Sequence, residues 1–345
     1  MATLYLIEQN TILRKQGQRL LLCKRPPAKR RYSAVLQGDI VLDLPAADVE
    51  QVMLFGNIQI TTSALQLLLG KGIEIALFSY GGQLLGQLTP ALGRNVHLRL
   101  EQFRRYREAG FTREFARQVV CAKIANGLAF LRQFHKNHPA AFPLEELALL
   151  ERSLAQAEVQ EDLDILRGHE GAAAARYFEL FSRVILPPWQ FSGRNKRPPR
   201  DPVNAVLSFG YVVLGSQLQW LLDGVGLDPY LGFYHQVDYG RPSLALDLLE
   251  ELRHPFIDRL AAVLFNQNIM QAEDFMEPAG GGVYLNTSGK RKFFEQYEKM
   301  LGELSQGLDE PGGPGYFPVL QRQVQRLTRA IQENEPYEPY RFQLD

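Results

Sequence analysis

The feature that most constrains the fold is a change of hydrophobic period near residue 90. Up to residue 88 the apolar residues come in short runs, LYLIE, QRLLLC, DIVLDL, VEQVMLF and IEIALFS, separated by Gly, Pro, Asn or Asp, the pattern of strands joined by tight connections. Tyr80-Gly81-Gly82 sets a hairpin turn between IEIALFS and QLLGQL, since glycine supplies positive φ. Thr61 or Thr62 caps one short helix that Gly70 ends. Pro90 and Gly93 then punctuate the chain. From His97 to about His135, Leu98, Phe103, Tyr106, Phe115, Val119, Ile124 and Leu128 recur at three and four, the spacing of a helical face. Two periods in succession predict an α+β protein. A β-rich, sandwich-like domain spans 1–88, a linker 89–96, and a larger all-α domain 97–301. The tail over 302–345, with PGGPG and EPYEPY, is rich in Pro, Gly and acids; it should carry one helix near 316–333 and otherwise end loosely.

Composition narrows the function classes. With 345 residues, 46% of them apolar, the chain can bury a sizeable core in two domains. Lys and Arg number 38 against 38 Asp and Glu, so no overall field attracts a polyanion and any nucleic-acid surface must be local. The charge is segregated: residues 1–31 carry eight Lys or Arg against Glu8, and residues 331–345 carry four acids against Arg341. Cys23 and Cys121 lie far apart without a CxxC or Cys/His spacing, which argues against a disulfide framework or structural zinc and suits a reducing cytoplasm. The N-terminus lacks the pattern of a signal peptide. Residues 202–222 are uncharged, yet Asn204, Ser208, Ser216, Gln217 and Gln219 make them too polar to span a membrane comfortably; a buried helix is expected.

Catalytic vocabulary concentrates in the second half. Over residues 231–259, LGFYHQVDYGRPSLALDLLEELRHPFIDR, an apolar lead-in delivers His235 to a polar turn, after which Pro242 and Ser243 open a helix. At helical spacing Asp247, Glu250, Glu251 and His254 share one arc, and Leu248, Leu249, Leu252 and Phe256 cover much of the rest. One face should be acidic and the other core. Upstream, GHEGAAAARYFELF is a strong helix with Glu170 at its start beside Gly168, His169 and Gly171. Such an acid either complements the helix dipole as a surface residue or stands in a setting whose small neighbours admit a ligand or phosphate.

Basic residues gather in three places. Arg194, Lys196, Arg197 and Arg200 share a loop with three prolines, stiff enough to hold cations against a phosphate backbone. Lys290, Arg291 and Lys292 follow a helix start at Thr287 or Ser288, where they oppose the dipole and suggest a shared anion. Arg94, Arg99, Arg104, Arg105, Arg107, Arg113, Arg117 and Lys123 decorate the first long helical stretch. That array is either a solvated face or a DNA-backbone face, and charge alone does not decide.

GHEG with its alanine-rich helix, then RPPRDPVNAVLSFGY, then LGFYH with GRPSLALDLLEELR and DR, resemble the CRISPR-associated integrase family, Cas-one, the larger adaptation subunit. The likeness runs over about residues 1–300. It implies a metal-dependent DNA endonuclease and integrase with an N-terminal β domain for dimerisation and positioning and a helical catalytic domain. It also implies double-stranded DNA, a spacer fragment and a CRISPR repeat, as substrate, a homodimer, and the small Cas-two subunit as partner. Carried onto this chain, the metal ligands are Glu170, His235 and Glu250, with Asp247 as companion acid; at i and i+3, Asp247 and Glu250 can both face the ion. His169 and His254 are left as supporting or surface residues. Two carboxylates and one imidazole suit Mg²⁺ or Mn²⁺. The rival readings are a structure-specific metal-dependent nuclease acting in repair and a non-catalytic DNA-binding scaffold; the latter is disfavoured because all three ligand positions are filled.

Overall fold

The structure is a computed structural model that describes residues 2–25, 39–90, 95–195, 198–304 and 318–342. Arg94, Lys196, Arg197, the basic run at 29–31 and the PGGPG segment lie outside the described residues. The N-terminal part contains β1 (Ala2–Leu6), β2 (Thr11–Gln16), β3 (Arg19–Lys24), β4 (Ile40–Pro45), β5 (Val49–Phe55), β6 (Ile58–Ile60), β7 (Glu74–Phe78) and β8 (Leu84–Leu88). They form two four-stranded sheets, ordered β1-β5-β7-β8 and β4-β3-β2-β6. In the first sheet β1, β5 and β7 are parallel and β8 returns antiparallel, around the turn in which Gly82 takes φ +89°.

Alternation along these strands assigns two jobs to the first sheet. Val52, Leu54 and Ile75 turn toward Leu13, Leu20 and Leu22 of the second sheet and toward Ala64, Leu67 and Leu68 of α1 (Thr62–Gly70), closing a small core. Met53, Phe55, Ala76 and Phe78 turn the other way, into the core of the helical part. There Tyr5 stacks on Phe294 with ring centres 3.9 Å apart, and Phe55 meets Phe209 and Phe294, each at 5.5 Å. A strand buried on both faces reads as the continuous apolar run VMLF, as parallel sheets do. The sandwich-like expectation holds, and one of its outer faces is the floor on which the helices pack.

The helices are α2 (Val96–Tyr106), α3 (Ala109–Asn137), α4 (Ala148–Glu158), α5 (Leu163–Val184), α6 (Pro202–Val225), α7 (Ser243–Leu252), α8 (Arg259–Asn266), α9 (Thr287–Leu304) and α10 (Pro318–Glu333). Between α7 and α8 the chain makes a π-helical turn, Arg253–Asp258. The stretch from residue 97 to 135 is two helices broken at Arg107 and Glu108. Helix α5 starts a full two turns before Glu170, at the Asp162 cap, whose carboxylate accepts from the Asp164 and Ile165 N–H groups. Glu170 is therefore mid-helix, and the dipole reading of that acid fails.

Helix α6 is the one described helix long and apolar enough to cross a membrane, and 72% of its apolar window is buried inside the protein. The tail also departs from expectation. Beyond α10, residues 334–342 pack back onto the helices, with Tyr337 only 3% exposed. Tyr337 donates to Glu251, and Asn126 clamps the segment by donating to the Tyr340 carbonyl and accepting from the Phe342 N–H.

Candidate active site

Three helices and one irregular segment meet at the site. Helix α7 packs against both α3 and α6, and α3 also packs against α5. The segment from Leu231 to Arg241 crosses the N-terminal end of α7 closely. A Cβ on Gly232 would stand 2.7 Å from Ser243 Cβ and 2.9 Å from Asp247 Oδ2, so only glycine permits this approach. Ser243 does not cap α7. Its hydroxyl donates to the Gln236 carbonyl at 3.0 Å and ties down the segment instead.

Asp247, 0% exposed, organises that segment. Its Oδ2 accepts from the Phe233 and Tyr234 N–H groups at 2.7 and 3.0 Å, and its Oδ1 accepts from the His235 N–H at 2.9 Å and lies 2.7 Å from His235 Nδ1. Both oxygens are spent. A carboxylate beside Nδ1 favours the proton on that nitrogen and turns Nε2 toward the cleft. Asp247 thus holds the segment that carries His235 in place.

His235 Nε2 turns to Glu250, 3.6 Å from its Oε1. Glu250 is nearly buried, and Arg253 Nη2 stands 3.0 Å from the same oxygen. Lys123 Nζ lies 2.6 Å from Glu250 Oε2 and also contacts Glu170 Oε1. Burial would raise the Glu250 carboxyl, but Arg253, Lys123 and His235 together hold it well below the usual carboxylate range. Burial likewise works against the Lys123 charge, yet Glu250 and Glu170 raise it above the ordinary lysine value. Glu170, His235 and Glu250 thus converge, as the motifs imply, in a cleft of ≈ 390 Å³ that Arg167, Tyr234, Gln236 and Arg241 also line. A larger cavity of ≈ 1180 Å³ lies by the C-terminal segment, among Arg259, Arg322, Tyr340 and Phe342, and no histidine lines it.

In kind, these donors suit a hard divalent cation. Two carboxylate oxygens and one imidazole nitrogen come from rigid helices and a tied segment, and a gap of 3.6 Å between His235 Nε2 and Glu250 Oε1 is one that two ligands at roughly 2.1 Å from a shared ion can span. Glu250 Oε2 is buried, and the Lys123 ammonium 2.6 Å away is its partner. Among the described residues no three His, Cys, Asp or Glu side chains stand at metal-ligand separations; the acids are grouped around the Lys123 ammonium.

The acidic arc expected on α7 is divided. Nearly all of α7 is buried, and Glu251 faces away from Glu250, accepting from Tyr337, Gln323 and the Tyr340 N–H. Burial pushes Glu251 up to about 7. His254 is buried against Tyr177, with Nδ1 2.7 Å from Asp258 Oδ2.

Two of the basic candidates are internal. Arg194 donates to Asn204 Oδ1 at 2.7 Å and Ser208 Oγ at 3.0 Å, with its guanidinium over the Tyr211 ring, so it fastens its loop to α6. Lys290, 1% exposed, donates to the Tyr80 carbonyl and sits over the Tyr80 ring; burial lowers it to about 8. It closes the contact between the β7–β8 turn and α9 and does not hold an anion. Arg200 is exposed, and Arg291 is exposed and paired with Glu8. The array on α2 and α3 is largely paired: Arg104 with Glu101 and Glu108, Arg105 with Glu108, Arg113 with Glu161, Arg117 with Glu114. Sequence reasoning missed Lys123 and Arg253 as parts of the site. The one signal for Lys123 is its place inside the apolar run VVCAKIA of α3.

The profile of the family described as CRISPR associated protein Cas1 matches residues 4–299. CRISPR-associated endonuclease Cas1 3 of Thermus thermophilus is 33% identical over 337 residues, 97% of this chain and 96% of that one. A CRISPR-associated exonuclease Cas4/endonuclease Cas1 fusion of Geobacter sulfurreducens is 35% identical over 310 residues, 87% of this chain, which spans only 55% of the fusion. Among solved structures, a casposase bound to integration product superposes with a TM-score of 0.83 at 20% identity, covering 100% of this chain and 96% of that one. A chain of a Cas6-RT-Cas1–Cas2 complex does so at 0.80 and 22% identity, covering 99% of this chain and 36% of that one. Both share the fold, and the profile and the full-length relative establish that the chain belongs to the Cas1 family of CRISPR-associated proteins.

Proposed function

We propose that this protein is a metal-dependent DNA endonuclease and integrase that inserts new spacer DNA into a CRISPR array. The observation that carries the reading is the convergence of Glu170, Glu250 and His235 Nε2 at one cleft in a chain of this family. Those three side chains would hold Mg²⁺ or Mn²⁺, which when bound supplies the positive charge that offsets charge developing on a phosphoryl oxygen. Asp247 keeps His235 in its ligating tautomer and orientation. Arg253 stays paired with Glu250 and holds that carboxylate ionised, while Arg167 and Arg241 at the cleft offer cations to a phosphate backbone. Attack by water cuts the strand; attack by the 3′-hydroxyl of a fragment joins that fragment to the target.

The related structures support the same reading. A casposase of this fold is bound to integration product, and a Cas1-bearing chain of this fold stands in a complex with Cas2. Double-stranded DNA and the small Cas2 subunit are accordingly the partners we assign. A fragment with two ends needs two sites, and this chain has one, so the working unit is a homodimer with the β-rich domain as the two-fold contact. Light scattering of the purified chain at micromolar concentration should read a dimer, and a monodisperse monomer would overturn that assignment.

Glu170→Ala, His235→Ala and Glu250→Ala should each lower metal-dependent cutting and joining by roughly 10² to 10⁴ with circular dichroism unchanged. The assay pairs a 3′-hydroxyl fragment with a repeat-bearing plasmid. Full integration by any of the three variants would sink the assignment, and cutting without joining by the parent protein would favour the repair-nuclease reading.

A further inference from the structure

We infer that Lys123 is a built-in counter-cation, which holds Glu170 and Glu250 together in the metal-free protein and yields its place to the divalent ion. The inference rests on the reading of Glu170, His235 and Glu250 as the metal ligands. Glu170 comes from α5 and Glu250 from α7, and two carboxylates brought together in a largely buried site repel each other and lose hydration. Lys123 answers both at once. It rises from α3, the helix that packs on both α5 and α7, and is itself only 8% exposed. Its ammonium touches Glu170 Oε1 and lies 2.6 Å from Glu250 Oε2, where an ion ligated by both acids would draw its oxygens together.

The two acids are not equally dependent on it. Glu250 keeps Arg253 at 3.0 Å, whereas Lys123 is the one ion-pair partner of Glu170 in the described structure. The ammonium only donates hydrogen bonds on a flexible four-carbon stem, while a divalent ion binds the oxygens directly with twice the charge. Exchange is therefore possible without moving the helices, and it costs metal affinity, because each ion must first part Lys123 from both acids. A residue that merely packed the core would leave metal affinity unchanged on removal, and one that helped bind the metal would weaken it. A placeholder does the reverse.

The test uses the full chain and Mn²⁺ alone, titrated by calorimetry and by electron paramagnetic resonance, with melting temperature read without metal. Lys123→Met should bind Mn²⁺ about tenfold more tightly and melt lower than the parent when metal-free. Adding Glu170→Gln, which removes the unpaired charge, should recover the metal-free melting temperature. Mn²⁺ affinity that is unchanged or weaker in Lys123→Met overturns the inference while leaving the ligand assignment standing, provided Glu250→Gln still abolishes binding. Binding that survives Glu250→Gln overturns both. If Lys123→Met fails to fold without metal, recovery by Mn²⁺ or by the added Glu170→Gln supports the counter-cation role, and recovery by neither refutes it.

Discussion

Asp247→Asn isolates the acid that organises the segment carrying His235. Asparagine keeps the shape of the side chain but replaces one accepting oxygen with an NH₂. In one amide orientation that NH₂ faces the Phe233 and Tyr234 N–H donors; in the other it faces the His235 N–H and ring Nδ1. In the first orientation two hydrogen bonds to a charged acceptor are lost, at about 1.5–3 kcal/mol each; in the second the His235 N–H bond is lost and the bond to Nδ1 is reversed onto a neutral amide. The amide is easier to bury than a carboxylate, which returns part of the loss, so the net destabilisation should be about 2–4 kcal/mol, large against a total stability of roughly 5–15 kcal/mol.

The second orientation carries a further consequence, because an NH₂ facing Nδ1 makes that nitrogen an acceptor and moves the ring proton to Nε2. Urea unfolding should show a lower midpoint at unchanged m. Nitrogen-15 shifts of the His235 ring should show the Nδ1–H tautomer in the parent and a loss of that preference in the variant. A midpoint and ring spectrum both equal to those of the parent would refute the claim that Asp247 positions His235.

Three other outcomes concern charged side chains. Glu74 is 0% exposed, with no hydrogen bond to either oxygen, and burial together with nearby Asp223 raises it from 4.5 to about 8. Below pH 4.5 both folded and unfolded chains carry this proton; between 4.5 and about 8 only the folded chain does, so stability falls as pH rises through that window, by at most about 1.36 kcal/mol per pH unit. Melting temperature should decline accordingly in the parent and stay flatter in Glu74→Gln, and equal slopes would contradict the burial argument. Arg194→Ala should lower the melting temperature through the lost Asn204, Ser208 and Tyr211 contacts. Arg200→Ala should leave melting unchanged and reduce the salt slope of duplex binding by roughly 0.9 if Arg200 meets a phosphate, and an unchanged slope returns it to solvent.

The parts of this protein legible in its sequence are those fixed by local period and by motif order. The change of spacing near residue 90 separates strands from helices because side chains alternate along a strand and recur every 3.6 residues on a helix. What stayed hidden depends on partners distant in the chain. Parallel pairing of β1 with β5 leaves no turn signal to read. Lys290 looks like a dipole-opposing cation until the Tyr80 carbonyl and ring, 210 residues away, enclose it. Arg194 looks like a loop cation because nothing in WQFSGRNKRPPR shows that Asn204 and Ser208 on the next helix will take its donors. EPYEPY reads as loose by composition, yet Tyr337 finds the buried Glu251.

The acids of α7 show why a site of this kind resists reading from one element. Asp247, Glu250 and Glu251 lie within five positions of one another and would seem interchangeable on a helical wheel. Each instead meets a different part of the chain: Asp247 the irregular segment that carries His235, Glu250 the cations Lys123 and Arg253, and Glu251 the C-terminal segment through Tyr337 and Tyr340. Successive helical residues are 100° apart, so Glu250 and Glu251 point to opposite chemistry across a single peptide bond. That division is what lets a two-to-three-turn helix fix a loop, a charged centre and a tail at once. It also means that charge removal at the three positions should fail in three ways: Asp247 by ring disorder, Glu250 by lost ion binding, and Glu251 by release of residues 334–342.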